Sequence, residues 1–266
     1  MANGMFLNVN GHSINYLSSG KGPRTFLAHS GWVGTWEDWQ PQLQALSAKY
    51  KAVGYDHRGA GYTQAAVEDI TAEGIVDDVF GVMDALGLDK CVLGGFSTGA
   101  KVVLSAALKQ PERFEGLVLM CGVFPTTPPE LSQRLKSSAE MILQNYEAYI
   151  RQMALAFTPE PDPNIETIRY WIQGVLRKTP PAQAARLLET LYSIDISAEQ
   201  LRQITIPTLL IHGTSDPFGP VSAGKYMATH LPNSQLALIE GGGHVCAITR
   251  SDQVNEAIEK FIEGLS

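Results

Sequence analysis

The sequence predicts an α/β protein with a doubly wound, mostly parallel β-sheet, an antiparallel hairpin at its start and a helical insertion. Three observations predict this class. Short apolar segments alternate with amphipathic ones over residues 25–121, which is typical of buried parallel strands joined by crossover helices. The alternation stops over residues 125–202 and resumes over 208–265. An Asn-Gly pair near the N-terminus separates two short segments, as in a β-hairpin.

The individual elements follow from local patterns. Asn10-Gly11 favours a tight turn between strands over 5–9 and 13–17. Further strands are predicted where a short apolar run is bounded by turn residues, and helices where apolar residues recur at helical spacing. The predicted strands are 25–28, 51–55, 91–94, 117–121, 208–212 and 235–239, and the predicted helices are 36–46, 71–86, 98–108, 221–230 and 252–265.

The interruption in the alternation predicts a second structural unit. Residues 125–202 hold helical stretches separated by proline-rich joints, and no segment there has a strand pattern. Ligands of open α/β sheets bind beyond the carboxyl ends of the strands, and a helical block inserted between two strands can cover that edge. We therefore predict a core domain of residues 1–124 and 203–266, and a helical cap or lid of residues 125–202.

Composition narrows the classes of partner. The chain has 266 residues, 44% of them hydrophobic, which is enough for a full core without disulfides or structural metals. Its net charge of −7 and lack of a Lys/Arg run argue against a nucleic-acid partner, because phosphate binding needs a basic face. The three cysteines are odd in number and widely spaced, which favours buried, reduced thiols.

Targeting and metal-binding patterns are missing from the sequence. Its first residues carry no charged segment followed by an apolar one, so no signal peptide is predicted. No stretch approaches the ~20 apolar residues that span a bilayer. No pair of histidines has metal-ligand spacing, which disfavours a metal centre. We therefore expect a cytoplasmic protein with no membrane partner and no metal.

The segment Gly95-Phe96-Ser97-Thr98-Gly99 lies between a predicted strand and a predicted helix. A serine in such a G-x-S-x-G turn is held at strained backbone angles with its hydroxyl exposed, and small neighbours avoid a clash with the backbone. A serine between glycines can also be purely structural. The strand-to-helix context favours Ser97 as a nucleophile, with the Thr98 amide at the helix start as a donor to an oxyanion.

Asp216 and His244 are the predicted partners of Ser97. Each follows a predicted strand. The chain order Ser, Asp, His is the one in which an acid and a base follow a serine held in a G-x-S-x-G turn. Because carboxyl ends of parallel strands meet at one edge of a sheet, the three side chains are expected there together. Asp216 could instead cap a turn, and Asp195 is a weaker rival acid because it lies in the insertion. His212 ends a strand, where a core histidine is the simpler interpretation.

A second oxyanion donor is expected from the loop His29–Gly34, which follows the strand over 25–28. Small residues there let a backbone amide approach the substrate oxygen. Trp32 is the preferred donor and Gly31 the next. His29 itself is interpreted as a residue that braces the loop.

With these residues assigned, the sequence resembles the α/β-hydrolase superfamily over essentially its whole length. Asp56–Gly61 is similar to the D-x-R-G-x-G segment of that superfamily, and His29–Gly31 to its oxyanion loop with one small residue inserted. Gly213–Asp216, with Pro220 four residues on, resembles its acid-bearing turn. The resemblance implies a catalytic triad of the serine, histidine and aspartate named above, and no cofactor.

Shorter segments resemble particular subgroups. Asn145–Tyr149 and Gly224–Met227 are similar to bacterial stress-signalling hydrolases and plant butenolide-hormone receptors, which carry a four-helix lid over an apolar pocket. Phe96–Gly99 instead resembles cofactor-free haloperoxidases and perhydrolases. The subgroup therefore stays open at this point.

The predicted reaction is hydrolysis of a small apolar or aromatic carboxylic ester or lactone. A serine at this turn excludes haloalkane dehalogenases and epoxide hydrolases, which need a carboxylate there. A carbon–carbon bond hydrolase, a perhydrolase and a slow signalling receptor stay open, and a protein partner is expected only for the receptor. The residues predicted to line the substrate pocket are Phe96, Tyr146, Tyr149, Trp171 and Val245.

Overall fold

An eight-stranded β-sheet runs through the computed structural model, which describes residues 5–265. Its strand order is β1-β2-β4-β3-β5-β6-β7-β8. The strands are β1 Met5–Val9, β2 His12–Ser19, β3 Thr25–His29, β4 Lys51–Tyr55, β5 Cys91–Phe96, β6 Phe114–Met120, β7 Thr208–Gly213 and β8 Ser234–Ile239. The predicted strands are all present, and the sheet is the doubly wound, mostly parallel one that the sequence predicts.

The first two strands form the antiparallel hairpin. Val9 pairs with His12 across the turn, and β2 also runs antiparallel to β4, whereas the other neighbouring strands are parallel. Asn10 and Gly11 have φ values of +49° and +83°. Two consecutive left-handed residues are what a type I′ turn requires, so the Asn-Gly prediction is confirmed.

Helices cover both faces of the sheet. Helices α1 and α11 contact each other on one face, while α2 and α3 contact each other on the other, where α9 contacts β7 and β8. The apolar strands are therefore buried on both sides, as parallel strands generally are. These helices are α1 Gln40–Leu46, α2 Ala72–Ala85, α3 Gly99–Lys109, α9 Val221–His230, α10 Cys246–Thr249 and α11 Ser251–Glu263.

Five helices separate β6 from β7, in the region predicted to be the cap. They are α4 Pro129–Gln144, α5 Tyr146–Phe157, α6 Ile165–Leu176, α7 Pro181–Ser193 and α8 Ala198–Gln203. We call α4–α7 the cap helices. Helix α8 crosses the predicted boundary at residue 202 and contacts α3 and α9 of the core. Within residues 5–265, no helix is both long and apolar enough to span a membrane.

Lys101 of α3 joins both ends of the cap to the core. The side chain is fully buried, and its Nζ donates to Thr127 Oγ1 at 2.8 Å and to the Ile194 carbonyl at 2.7 Å. Thr127 precedes α4 and Ile194 follows α7. Burial lowers the pKa of Lys101 to about 8, against the opposing effect of the Asp195 carboxylate. Folding thus disfavours the charged form of this lysine.

Replacing Lys101 with methionine is expected to change how stability depends on pH. Between about pH 8 and 10.5 the folded chain loses the Lys101 proton while the unfolded chain keeps it, so stability rises with pH in that window. The rise is about 3 kcal/mol in the free energy of unfolding, and the variant lacks it. Urea unfolding across this window measures it. Replacing the exposed Lys90 is the matched control, and identical pH profiles for native protein and Lys101→Met would contradict the assignment.

Candidate active site

Ser97 lies at the tip of a sharp turn between β5 and α3. Its φ of +55° is left-handed, a strained value for a residue other than glycine. Its N–H donates to the Met120 carbonyl at 2.9 Å, which ties the turn to β6. A Cβ on Gly99 would lie 2.5 Å from the Ser30 carbonyl oxygen, so close backbone approach requires glycine there. The turn places the Ser97 hydroxyl at the carboxyl edge of the sheet.

Three side chains from the ends of three strands meet at this edge. Ser97 Oγ lies 3.0 Å from His244 Nε2, and His244 Nδ1 lies 2.9 Å from Asp216 Oδ2. Asp216 follows β7 and His244 follows β8. All three residues are buried, so their hydrogen bonds form in a medium of low dielectric constant. The arrangement puts a base within reach of a hydroxyl and a carboxylate within reach of that base.

Asp216 is held in the ionised form. Burial by itself would raise the pKa of this carboxyl, but the adjacent His244 and the amides of Phe218 and Gly219 outweigh burial and keep the pKa below its usual value. The two amides donate to Asp216 Oδ1 at 2.8 and 3.0 Å. An ionised acid at this position can fix the orientation and tautomer of the imidazole.

The weaker candidates from the sequence lie elsewhere. The carboxylate of Asp195 is exposed and accepts the Thr127 N–H at 2.8 Å, at the end of the cap. His212 is buried, and its Nδ1 lies 2.9 Å from the Gly219 carbonyl oxygen. Since the Gly219 amide donates to Asp216, His212 supports the acid-bearing loop. His212 is therefore a core histidine, as its position at the end of a strand predicts.

Two backbone amides are available to an oxyanion beside Ser97. A Cβ on Gly31 would lie 2.9 Å from Ser97 Cβ, so the loop after β3 contacts the serine directly. Within residues 5–265, neither the Trp32 amide nor the Thr98 amide donates a hydrogen bond to a protein acceptor. Free amides next to a nucleophile can stabilise a developing negative charge.

A pair of buried histidines supports the loop that carries the Trp32 amide. His57 Nε2 lies 2.9 Å from the Gly31 carbonyl oxygen, and His29 stacks on His57 with ring centroids 5.2 Å apart. Burial lowers the pKa of both histidines, so both are neutral near pH 7. The loop is therefore fixed by neutral hydrogen bonds, which agrees with the bracing role predicted for His29.

Two chambers meet at Ser97 and share Trp32, Phe157 and His244 on their walls. The smaller one, which we call the inner chamber, has a cavity volume of about 50 Å³, and the outer chamber about 400 Å³. The inner chamber is further lined by Gly34, Asp38, Phe96, Trp171, Val175 and Val245. The outer chamber is further lined by Arg134, Ser138, Tyr149, Leu188, Tyr192 and Phe218.

Most of the predicted pocket residues lie on these walls, and one does not. Phe96, Trp171 and Val245 face the inner chamber and Tyr149 the outer one. Tyr146, in contrast, is on neither wall. Its hydroxyl donates to the Leu176 carbonyl at 2.8 Å and so links α5 to α6. The prediction for Tyr146 is corrected accordingly, because a helical pattern does not indicate the direction of a side chain toward a pocket.

Phe157, at the end of α5, is an aromatic residue of the cap that contacts His244. Its carbonyl accepts the His244 N–H at 3.1 Å, and its ring centroid lies 5.0 Å from that of His244. Nearby, Glu160 accepts a hydrogen bond from Thr249 Oγ1 at 2.6 Å. The cap thus holds the loop that carries the histidine. No local pattern around these residues indicates this contact, since it joins segments far apart in the chain.

One group of residues has the composition of a metal site. Potential ligand atoms of Cys121, Asp216 and His244 lie within 4.8 Å of one another. His244 and Asp216 are already hydrogen-bonded to each other. The hydrogen bond with Cys246 and burial raise the pKa of the Cys121 thiol well above its usual value. Because only a thiolate binds metal well, the group fits a hydrogen-bonded relay better than a metal centre.

Comparisons with known proteins agree on the type of fold. A family profile described as "alpha/beta hydrolase fold" matches residues 24–170, and a "TAP-like protein" profile matches 192–265. The chain is 30% identical over 249 residues to a "Putative carbamate hydrolase RutD" of Caulobacter vibrioides, covering 91% of both chains.

Two solved structures share the architecture. A thermophilic esterase from Thermogutta terrifontis has a TM-score of 0.89, 23% identity and coverage of 99% of both chains. An enol-lactonase from Burkholderia xenovorans LB400 has a TM-score of 0.88 and 21% identity, and the match covers 97% of this chain and 100% of the enol-lactonase. At these identities the structural likeness establishes the fold alone.

Proposed function

The chain belongs to the α/β-hydrolase family and is a hydrolase, and from this premise we propose that it cleaves a small apolar or aromatic carboxylic ester or lactone. The observation that carries the proposal is the hydrogen-bonded chain from Ser97 Oγ through His244 to Asp216. The same three side chains in this connectivity perform acyl transfer on unrelated folds.

In the proposed acylation step, the Ser97 hydroxyl attacks the carbonyl carbon of the substrate. His244 Nε2 takes the hydroxyl proton, and the ionised Asp216 stabilises the imidazolium that forms. The substrate oxygen becomes an oxyanion between the amides of Trp32 and Thr98, with Gly31 as the next candidate. Each such donor contributes roughly 10²–10³ in rate in hydrolases where it has been removed.

The tetrahedral intermediate then collapses to an acyl-enzyme. His244 gives its proton to the leaving oxygen, so the alcohol departs neutral and Ser97 holds the acyl group as an ester. A water molecule, deprotonated by the same imidazole, attacks that ester. The second collapse releases the carboxylic acid and returns the proton to Ser97. The chain needs no cofactor for these steps, because every proton moves between Ser97, His244, substrate and water.

The walls of the chambers support an apolar substrate. Phe96, Phe157, Trp171 and Val245 surround the nucleophile in the inner chamber, and aromatic walls with few polar groups favour apolar or aromatic ligands. An esterase and an enol-lactonase are among the proteins that share this fold.

A carbamate is the second candidate substrate, favoured by the similarity to the putative carbamate hydrolase. Its carbonyl is attacked and its oxyanion bound in the same way as those of an ester, and the difference lies in the nitrogen beside the carbonyl. Parallel p-nitrophenyl esters and p-nitrophenyl carbamates of equal size separate the two. The substrate class with the higher kcat/KM is the one the site is built for.

A slow signalling receptor uses the same triad but differs in rate. It would hydrolyse its ligand over minutes or longer and bind a protein partner through the cap. Rapid, repeated turnover of simple esters would contradict the receptor hypothesis. A carbon–carbon bond hydrolase or a perhydrolase would show low ester turnover and high turnover of its own substrate.

The proposed function is tested with a fluorophosphonate probe and a panel of p-nitrophenyl esters and lactones. We expect stoichiometric labelling of the native protein, and no labelling or turnover for Ser97→Ala. Ser105→Ala is the matched control, because Ser105 lies on α3 and its hydroxyl donates to the Lys101 carbonyl at 2.9 Å. If the Ser97→Ala variant is labelled as well as the native protein, the assigned nucleophile is wrong. If the folded native protein neither labels nor turns over any member, the hydrolase mechanism is wrong.

A further inference from the structure

Asp38 is an acidic residue on the wall of a mostly apolar chamber. It lies in the short 3-10 turn Trp36–Trp39 before α1 and lines the inner chamber together with Ser97. Among the residues on that wall, Asp38 and His244 are the two with ionisable side chains. His244 already has partners on both ring nitrogens. Asp38 is therefore the acid that a substrate in this chamber would meet.

The position of the carboxyl is fixed by the oxyanion loop. Asp38 Oδ2 lies against the backbone of Gly34, so close that a Cβ on that glycine would overlap it. The Gly34 N–H in turn donates to the Gly31 carbonyl at 3.2 Å. The carboxyl thus lies against the loop that presents the Trp32 amide, next to the residues that contact Ser97.

This carboxyl lacks a committed donor. The Ser30 hydroxyl is close to it, but donates to the Thr35 carbonyl at 2.7 Å. The nearest cation, Lys178, is ion-paired with Glu37. Burial raises the pKa of Asp38 to about 7, with Ser30 and Lys178 opposing the rise and Glu37 and Asp56 adding to it. Asp38 is half-buried, and a carboxyl without a protein donor is free to accept a hydrogen bond from a ligand.

The two chambers suggest which part of the substrate this carboxyl meets. The outer chamber is the larger, and the exposed Arg134 lies on its wall, which suits a leaving group on its way to solvent. The inner chamber is bounded by the oxyanion loop from Gly31 to Gly34, beside the carbonyl being attacked. With the leaving group placed in the outer chamber, the acyl chain would extend into the inner chamber, toward Asp38.

We infer that Asp38 determines acyl specificity by binding a hydrogen-bond donor, an ammonium or hydroxyl group, on a short acyl chain. This inference rests on the proposed function and narrows its substrate class: the acyl group is apolar along its length and polar at its end. A site that holds a polar group for such a contact discriminates strongly against a substrate that leaves it unpaired.

The test compares p-nitrophenyl esters that differ in one terminal group. Butanoyl, 3-hydroxypropanoyl and 3-aminopropanoyl esters have nearly the same length and end in methyl, hydroxyl and ammonium, and the propanoyl, glycolyl and glycyl esters repeat the series one atom shorter. Within each variant, kcat/KM for a donor ester is divided by kcat/KM for its methyl counterpart. That ratio is then divided by the same ratio for hydroxide-catalysed hydrolysis of the two esters, which cancels their difference in intrinsic reactivity as well as any general loss of activity or of folded protein.

We expect the native protein to prefer a donor ester over its methyl counterpart by about tenfold or more in at least one length series, the size of one charge-assisted hydrogen bond. Asp38→Asn should lower the ammonium ratio by at least tenfold, and Asp38→Val should lower both ratios to one or below. Asp195→Asn is the matched control, because Asp195 is an exposed acid at the end of the cap and is not on the chamber wall, and it should keep the native ratios.

Two results would overturn the inference: native ratios of one or below in both series, or ratios that Asp38→Asn and Asp38→Val leave unchanged. Either result leaves hydrolysis of the methyl esters standing, so the proposed function survives it. Failure of the proposed function looks different, since no ester of either series would be hydrolysed in a Ser97-dependent manner.

Discussion

Ser97→Ala and His244→Ala are each expected to lower kcat by about 10⁶-fold, and the double variant by no more than either single one. The reason is that the hydroxyl and the imidazole act as one unit, joined by the 3.0 Å contact between Ser97 Oγ and His244 Nε2. Without the base the serine is a weak nucleophile, and without the serine the base has no proton to take. Steady-state kinetics of the four proteins on one p-nitrophenyl ester measures the effect.

The pattern of the double variant is more informative than the size of either loss. Additive losses would mean that Ser97 and His244 act independently, which contradicts the proposed relay. His212→Ala is a useful comparison, because His212 is also buried and lies near the acid loop but bonds to the Gly219 carbonyl. It should lower stability more than it lowers kcat per folded molecule.

Asp216→Asn is expected to lower kcat by about 10⁴-fold at neutral pH with little change in KM. The asparagine amide keeps the shape of the carboxyl, but it cannot stabilise an imidazolium and it favours the wrong imidazole tautomer. Asp216 also accepts the amides of Phe218 and Gly219, so thermal unfolding is measured alongside to show that the loop remains folded.

Asp195→Asn is the matched control for that substitution. Asp195 is the other acid that the sequence offers, but it is exposed and lies at the end of the cap beside Lys101. Its replacement should leave kcat within about twofold of the native value. A loss of similar size in both variants would contradict the assignment of Asp216 as the acid of the relay.

Much of the fold could be predicted because its signals are local. Asn10-Gly11 produces its turn through two left-handed residues, and Thr71 caps α2 by accepting the Gly74 N–H, both within a few residues of chain. The elbow at Ser97 is equally local, since the clash that requires Gly99 arises between a strand, its turn and the next loop. The observed ends of helices differ from the predicted ends by only a few residues, because a helix does not always end where its apolar pattern ends.

The pocket was less predictable because side-chain direction on the cap depends on packing between helices. Tyr146 and Tyr149 are three residues apart on α5 and chemically identical. One bonds to the Leu176 carbonyl between cap helices, while the other lines the outer chamber. The contact between the Phe157 carbonyl and the His244 amide likewise joins the cap to a loop that lies far along the chain.

The sheet, the turn at Ser97 and the chain order of Ser97, Asp216 and His244 could be predicted from local patterns, because strand alternation and a strained turn are encoded within short stretches of chain. Which member of an adjacent pair lies on a chamber wall depends instead on packing between distant segments. Glu37 and Asp38 are adjacent acids, yet Lys178 from the cap pairs with Glu37 and leaves Asp38 on the chamber wall. The partner that neutralises a charged side chain comes from a segment that the fold brings close. That partner cannot be inferred from the residues adjacent in the sequence.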